Sequence, residues 1–322
     1  MKQPIKIILA ILSIAGFYSC VKAPHGFLSD QIRYRDNPIQ VQRGNVVQTT
    51  AVDNDGSSAP VSYELLDIRD AATHKHADSV YKDRDRYVYI SEFNPDVDTT
   101  VALLNSRRKM VKAPSFEFNK FTGGFTFFGT TAQVPAGTYE FDIKATNEHG
   151  SKEYKNVGNF TLYDGPVAQI DAGGGAWFKD GTDQNGDIGE PKVTIQKLAS
   201  TGTIAILKIV DQNGVAFNPR NNEYIKRGDR SNFDTFAKFH PVVASDTSLT
   251  INFEVIPFPF KGAAQGFTMY YRIPGKFAKI DDGFTPTKDR GYSVNPRFTF
   301  RIFQEGVYLI TVKLQHVTRD LI

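Results

Sequence analysis

Alternating hydrophobic and polar positions dominate the chain beyond residue 45. Short runs of β-branched and aromatic residues alternate with polar ones, and Gly, Asn, Asp and Pro bound each run. This pattern is typical of half-buried strands. It predicts a first set of strands at 46–52, 61–68, 87–90, 116–118, 125–128, 138–146 and 153–163. Seven strands at these spacings indicate a β-sandwich.

A second strand-rich segment follows the turn residues Asp164-Gly165-Pro166. The predicted strands are 167–170, 192–198, 203–210, 249–256, 267–273, 297–303 and 307–314. Two long irregular segments, 211–247 and 274–296, separate some of them, and loops of that length in a compact domain are functional or disordered. We therefore predict a first module at residues 46–165 and a second β-sandwich with long loops at residues 166–322.

One helix is predicted within the first module. Pro95-Asp96-Val97-Asp98 offers a helix start, and Val97, Val101 and Leu104 recur at helical spacing. The basic residues 107–109 would then complement the dipole at the helix C-terminus. We interpret these basic residues as a solvated charge run and not as an anion-binding patch.

A Gly-x-Tyr sequence opens a strand in each module. Gly137-Thr138-Tyr139 and Gly306-Val307-Tyr308 each follow a Phe-Thr-Phe sequence. This arrangement resembles the tyrosine corner of immunoglobulin-like sandwiches, in which the ring is buried and the hydroxyl bonds back to the chain. The predicted fold class is therefore all-β, with two tandem immunoglobulin-like β-sandwich domains and one short helix in the first.

The first 19 residues read as a lipoprotein signal peptide. Lys2 and Lys6 precede an apolar run at residues 7–17 that is too short to span a bilayer, and Cys20 follows directly. Phe17-Tyr18-Ser19-Cys20 resembles a lipobox, so we expect cleavage before Cys20 and lipidation of its thiol. An ordinary secretory signal is the alternative. Residues 20–45 would form a lipidated tether.

Loss of the signal peptide changes the charge of the mature chain. It removes two of the positive charges that give the whole chain a net charge of +3, so the mature protein is nearly neutral. Without a basic run there is no electrostatic case for a nucleic acid partner. Several acyl chains would anchor the protein to a membrane. Val21 after the cysteine favours the outer membrane and leaves open whether the protein faces the periplasm or the cell surface.

A polar cluster at residues 180–190 is the strongest metal candidate. Asp183, Asn185 and Asp187 occupy alternate positions, as oxygen ligands do in a calcium loop, and Glu190 would add another. The turn glycine of such loops is replaced by Ile188. We prefer a solvated hairpin turn, with structural calcium as the alternative. No other cofactor is predicted.

Trp177 is the one tryptophan of the chain, and it follows the glycine run 173–175. An indole ring beside flexible glycines is a candidate platform for the apolar face of a sugar. Aromatic side chains are more often part of a core. Trp177 is nonetheless the ligand-binding candidate of the sequence.

Catalytic motifs are missing from the sequence. It has no Gly-x-Ser-x-Gly elbow, no P-loop, no dinucleotide fingerprint and no cysteine other than Cys20. We therefore predict a protein that is not an enzyme and has no catalytic residues. Paired carboxylates from separate strands leave no local motif, so a glycoside hydrolase stays open as the third alternative.

The start of the mature chain resembles a family of bacterial lipoproteins. Cys20, the residues Gly26-Phe27-Leu28-Ser29-Asp30, Tyr34 and Asn37-Pro38 resemble Bacteroidota outer-membrane lipoproteins associated with starch-utilisation-type transport loci. The resemblance implies an accessory lipoprotein that captures a polysaccharide for uptake beside an outer-membrane transporter. The alternative is a structural or assembly lipoprotein of an envelope complex.

Overall fold

The computed structural model describes residues 27–320. Its first half contains the helices α1 (Asp78–Tyr81) and α2 (Val101–Arg107). Its strands are β1 (Ile39–Gln42), β2 (Val47–Gln48), β3 (Ser62–Asp70), β4 (Arg84–Tyr89), β5 (Arg108–Ala113), β6 (Phe116–Phe118), β7 (Phe125–Phe127), β8 (Gly137–Asn147) and β9 (Gly150–Tyr163).

The second half contains one α-helix among the described residues, α3 (Phe233–Phe236). Its strands are β10 (Ala168–Lys179), β11 (Asn185–Asp187), β12 (Lys192–Ala199), β13 (Thr203–Val210), β14 (Ile225–Lys226), β15 (Val243–Ala244), β16 (Leu249–Asn252), β17 (Thr268–Arg272), β18 (Ala278–Ile280), β19 (Tyr292–Ile302), β20 (Gly306–Lys313) and β21 (Val317–Arg319).

The first half is a sandwich of two sheets. The order β1-β9-β8-β3 forms one sheet and β2-β7-β6 the other, and β4 and β5 form a separate two-stranded antiparallel sheet. Phe125 of β7 lies 4.9 Å from Phe141 of β8 between ring centroids, so aromatic side chains of both sheets fill the core. Strand β1 lies within the predicted tether, yet it pairs with β9, and Ile32 and Tyr34 ahead of it belong to this core.

The second half has two five-stranded sheets. Their orders are β11-β10-β19-β17-β14 and β12-β20-β13-β16-β15. Strand β20 alternates buried and half-buried residues along its whole length, as a strand with one core-facing side must. Phe298 and Phe300 of β19 and Ile310 of β20 belong to one buried cluster between these sheets. The predicted all-β sandwich class is confirmed.

The two halves keep separate strand ladders. Within residues 27–320, no pairing joins a strand of 39–163 to a strand of 168–319. The two buried clusters divide in the same way. The module limits at 46–165 and 166–322 stay predictions.

The predicted helix starts at a different residue. Helix α2 begins at Val101, and the Thr100 hydroxyl, not Asp96, accepts a hydrogen bond from the Leu103 amide as its N-cap. Asp98 is buried instead, and its carboxylate accepts hydrogen bonds from the Asn94 amide and from Arg107 Nε. The helix was therefore predicted about one turn too early. The helix count was also wrong, because α1 precedes α2 and α3 lies in the second half.

Both tyrosine corners are present. The hydroxyl of Tyr139 donates to the carbonyl of Pro135 at 3.0 Å, and that of Tyr308 donates to the carbonyl of Gln304 at 3.0 Å. Both rings are buried. The sequence-based interpretation of the Gly-x-Tyr sequences is confirmed, and each tyrosine fixes the turn that leads into its strand.

Replacing Tyr308 by phenylalanine should lower the free energy of unfolding by about 1 kcal/mol, because it leaves a buried carbonyl acceptor without its donor. Urea denaturation of both proteins measures the difference. Tyr163→Phe is the control, since this side chain is 41% exposed and should change stability by less than about 0.5 kcal/mol. Equal effects of the two substitutions would contradict a specific role of the corner hydroxyl.

Candidate ligand cleft between the two halves

The predicted ligand residue Trp177 is buried in the second half. Its side chain is 6% exposed, and its ring meets Tyr292 edge-on at 5.3 Å between centroids. A Cβ atom on Gly186 would lie 2.6 Å from the indole, so the ring is covered closely by strand β11. Ligand binding by Trp177 stays a prediction. Trp177 does not line the cleft described below.

The predicted calcium residues lie on the β10–β11 hairpin and just beyond it. Asn185 Nδ2 donates to the backbone carbonyl of Asp183 at 2.9 Å, and Glu190 accepts a hydrogen bond from the Gly173 amide at 2.5 Å. Asp187 lies two residues after Asn185 on β11. Across residues 27–320, no three His, Cys, Asp or Glu side chains converge so that they could hold a metal ion. Calcium binding stays a prediction.

The predicted lipidation site, Cys20, lies outside the described residues. Its acylation therefore stays a prediction. No helix between residues 27 and 320 is long and apolar enough to cross a membrane.

A cleft of about 150 Å³ lies between the two halves. The first half lines it with residues of β4, β5 and the 3₁₀ turn Gly129–Gln133, and the second half with the segment after β16 and the turn before β20. Its polar and aromatic lining includes Arg86, Tyr87, Tyr89, Arg108, Thr130, Glu254 and Glu305. We call this set the interdomain cleft.

Two exposed tyrosines form one wall of the interdomain cleft. Strand β4 buries Arg84 and Arg86 and presents Tyr87 and Tyr89 on its other face, where they are 39% and 47% exposed. Residues two apart in a strand point to the same side. The two rings therefore start from backbone positions about 7 Å apart on one surface.

Arg108 holds the tyrosine wall in place. Its guanidinium lies 3.8 Å from the ring centroid of Tyr87, and its Nη2 atom lies 2.6 Å from Glu254 of the second half. The Arg108 side chain is 3% exposed, so this ion pair is nearly dry. The sequence-based interpretation of a solvated charge run at residues 107–109 is wrong for Arg108, because this residue lies in strand β5 beneath the tyrosines.

Glu254 is fixed from two sides. Besides Arg108, His240 approaches its carboxylate, with Nε2 2.8 Å from Oε1. Burial acts to raise the pKa of Glu254, but the hydrogen bonds from His240 and Arg108 outweigh it and hold the pKa below its ordinary value. Glu254 is therefore a charged acceptor across the normal pH range.

Two buried polar atoms of cleft residues have no hydrogen-bond partner among the described residues. They are Nη1 of Arg86 and Oγ1 of Thr130. Arg86 is otherwise held, because its guanidinium lies 3.6 Å from the ring centroid of Phe128 and its Nη2 atom donates to Glu117 at 2.7 Å. Both atoms are covered by protein, and buried donors without partners are costly.

Glu305 adds a carboxyl group on the side of the second half. Although the residue is exposed at the surface, the protein around its carboxyl group raises its pKa by desolvation, against the attraction of Arg108 and Lys197. Within residues 27–320 its side chain forms no ion pair or hydrogen bond. The group is free to exchange hydrogen bonds with a hydroxyl.

Aromatic side chains from both halves meet beside the interdomain cleft. Phe93 lies 5.7 Å from Phe260 and 6.4 Å from Phe239 between ring centroids, and Tyr89 lies 6.2 Å from Phe93. These contacts link the exposed tyrosine wall to the second half. The cleft is therefore a preformed feature of the packed halves.

Comparisons with known proteins give a structural neighbour of low similarity. No protein-family model and no curated protein sequence matches this chain. The chain is similar to a SusE-like surface located polysaccharide binding protein from the Bacteroides thetaiotaomicron heparin utilisation locus, with a TM-score of 0.26 and 8% identity, over 88% of this chain and 53% of that one. It thus spans about half the length of that protein. A TM-score this low does not establish a shared fold.

The predicted long loops contain short elements and a second, wider groove. The segment 211–247 carries β14, α3 and β15, and a groove of about 450 Å³ lies against Tyr224, Lys226 and Asp234. Lys226 and Asp234 form an ion pair with each other at 3.2 Å. The groove therefore offers fewer uncommitted polar groups than the interdomain cleft.

Sequence reasoning missed the residues of the interdomain cleft. The signal nearest to a clue is Tyr87-Val88-Tyr89, which places two tyrosines on one face of a strand. Arg108 and Glu254 are 146 residues apart in the chain, and no local pattern joins them.

Proposed function

We propose that this protein is a lipid-anchored protein of the outer cell envelope that binds a polysaccharide in the interdomain cleft without catalysing a reaction on it. One observation carries the proposal: Tyr87 and Tyr89 present exposed rings beside Arg108 and Glu254, whose positions are fixed by contacts between the halves. The anchor would be Cys20.

The chemistry of a sugar suits this cleft. A pyranose ring has an apolar C–H face that packs on an aromatic ring, and a rim of hydroxyls that exchange hydrogen bonds with charged groups. Tyrosine supplies such a face together with a polar end. Hydrogen bonds from charged groups are the stronger kind, and Arg108 and Glu254 line the cleft as such groups.

Preorganisation supports binding in the cleft over binding on loops. Arg108 stacks on Tyr87 and is itself held by Glu254, so these groups lose little freedom when a ligand arrives. Two tyrosines about 7 Å apart present two surfaces to neighbouring sugar units of one chain. Such a site suits a polymer better than a free monosaccharide.

Replacing Tyr87 and Tyr89 together by alanine should weaken polysaccharide binding at least tenfold, corresponding to about 1.4 kcal/mol, because both packing surfaces are lost. Isothermal titration of the purified protein without its signal peptide against a panel of soluble glycans identifies the ligand. The variant is then titrated with that glycan.

The matched control is Tyr163→Ala. Tyr163 is 41% exposed, similar to the two cleft tyrosines, but it lies at the end of β9 and does not line the cleft. Equal binding by the double variant and the unchanged protein would remove the cleft from the proposal. If the protein cleaves the bound glycan, the proposed binding function is wrong and the protein is a hydrolase. Absence of binding to every glycan, with one stoichiometric crosslinked protein in cells, would favour the assembly role.

A further inference from the structure

Four arginines cluster on the outer face of the second half, away from the interdomain cleft. Arg272 lies on β17 and Arg297 on β19, while Arg227 and Arg230 follow β14. Together with the rings of Tyr270 and Phe178 they form what we call the arginine face. Tyr270 is the register partner of Arg297, so both side chains leave the same side of the sheet.

Aromatic rings hold two of these guanidinium groups. Arg227 lies 5.3 Å from the ring centroid of Phe178 and 6.0 Å from that of Tyr270, and Arg230 lies 5.7 Å from Tyr270. These separations are within the range of cation–π attraction. The ring of Tyr270 therefore gathers two positive charges that come from a loop.

The glycine run beside Trp177 makes room for Arg297. A Cβ atom on Gly174 would lie 2.8 Å from the guanidinium of Arg297, and one on Gly173 would lie 2.6 Å from the backbone carbonyl of Arg297. The β10–β19 register also shifts between Asp171 and Gly174. The glycines thus let Arg297 lie flat across β10.

Most of the positive charge on this face has no acidic counterpart. Among the described residues, Arg272 pairs with Asp180 at 2.8 Å, while the side chains of Arg227, Arg230 and Arg297 form no ion pair or hydrogen bond. Burial first, and then the charges of Arg230, Arg272 and Arg297, lower the pKa of Arg227. Like charges gathered in this way repel each other, and an anion would relieve that repulsion.

We propose that the arginine face binds the sulfate or carboxylate groups of an anionic polysaccharide. The inference rests on the proposed function in one respect, that the ligand is a glycan. It adds that this glycan is negatively charged and that the protein has a second contact surface for it. Arginine presents a planar fork of donors that matches such oxyanions. A flat face with rings between the charges suits a polymer chain, and the predicted place outside the inner membrane favours a glycan over a nucleic acid.

Dextran sulfate and uncharged dextran provide a matched pair of probes, and polygalacturonate tests carboxylates. By biolayer interferometry, the protein should bind at least one of the two polyanions, bind dextran at least tenfold more weakly, and lose affinity as salt rises. The double variant R227A/R230A should lose at least tenfold in affinity. R227K/R230K keeps the positive charges but loses the planar guanidinium groups. Its affinity should lie between that of the unchanged protein and that of R227A/R230A.

The control R33A/R35A removes the same number of positive charges, but from the first half, where both arginines face Asp53. It should keep polyanion affinity within about twofold if the local face and not net charge decides. Thermal unfolding checks that each variant is folded. Equal losses in the two double alanine variants, or no binding to either polyanion, would overturn the inference. So would equally tight binding of single-stranded DNA of matched charge.

The same experiment separates this inference from the proposed function. The Tyr87 and Tyr89 double variant should still bind the polyanion through the arginine face, and R227A/R230A should still bind a neutral glycan in the cleft. If only neutral glycan binding in the cleft is absent, the proposal for the arginine face still holds. If only polyanion binding is absent, the proposal for the cleft still holds.

Discussion

Replacing Arg69 by alanine is expected to lower the free energy of unfolding by about 3–5 kcal/mol at neutral pH, because it removes the main counter-charge of two buried carboxylates and leaves Asp142 with the exposed Lys155 as its remaining counter-charge. Arg69 of β3 donates from Nη1 and Nη2 to Asp142 at 2.7 Å each, and from Nε to Glu140 at 2.9 Å. Both carboxylates belong to β8, and their side chains are 3% and 8% exposed. The pairing therefore joins two neighbouring strands in a nearly dry site.

The loss should depend on pH. The hydrogen bonds from Arg69 outweigh burial and lower the pKa of Asp142 from 3.8 to about 2. Because the pKa is lower in the folded state, this carboxylate contributes stability above pH 3.8 that is lost as the pH falls toward 2. The difference between R69A and the unchanged protein should accordingly be largest near pH 7 and smaller at pH 3.

Urea denaturation at pH 7 and pH 3 measures both effects. Arg35→Ala is the control, since the Arg35 side chain is 77% exposed and its ion pair with Asp53 should contribute at most about 1 kcal/mol. A loss for R69A that is the same at both pH values would show that packing, and not the ion pair, is what the substitution removes.

Replacing Arg108 by alanine is expected to cost about 3 kcal/mol of stability, for the same reason as Arg69, and also to weaken glycan binding. The substitution leaves Glu254 with His240 as its remaining side-chain partner and removes the cation that supports the ring of Tyr87. Since Arg108 and Glu254 belong to different halves, we also expect thermal unfolding to become less cooperative. Calorimetry should show a broadened or divided transition.

Lys109→Ala is the matched control for Arg108. Lys109 is the next basic residue of β5 but is exposed, so its loss should change stability by less than about 0.5 kcal/mol. A double-mutant cycle with Glu254→Gln isolates the coupling between the two side chains. Coupling near zero would mean that Arg108 does not join the halves through Glu254.

The strands that alternate clearly, and the entry turns marked by Gly-x-Tyr, were readable because each depends on local pattern, whereas β1 and β5 were not predicted. Strand β20 alternates along its length, and Gly306 and Tyr308 mark its tyrosine corner within three residues. Helix α2 was predicted too early because Asp96 and Asp98 are good capping residues by type, yet Thr100 caps the helix and Asp98 is buried against Arg107 at the end of the same helix. A competing contact nine residues away, within the same segment, therefore decided where the helix begins.

The interdomain cleft was beyond the reach of local pattern. Arg108 follows a helix and precedes a lysine, which is the setting of a solvated charge run. Arg108 is buried because it forms an ion pair with Glu254, far along the chain, and because the ring of Tyr87 covers its guanidinium group. The glycine run beside Trp177 has a packing role, because Gly173 and Gly174 lie against Arg297, while a different glycine, Gly186 of β11, lies against the indole.

The parallel pairing of β1 with β9 has a mechanical consequence. Ile39 to Gln42 run alongside Phe160 to Tyr163 in the same direction, so the chain enters β1 at one end of the pair and leaves β9 toward the second half at the other. A force between a membrane anchor ahead of β1 and a polymer held by the second half would pull the two strands past each other along their axes. All hydrogen bonds between β1 and β9 would then carry the load at the same time. The pairing therefore resists shear along the direction in which a tethered protein would be pulled.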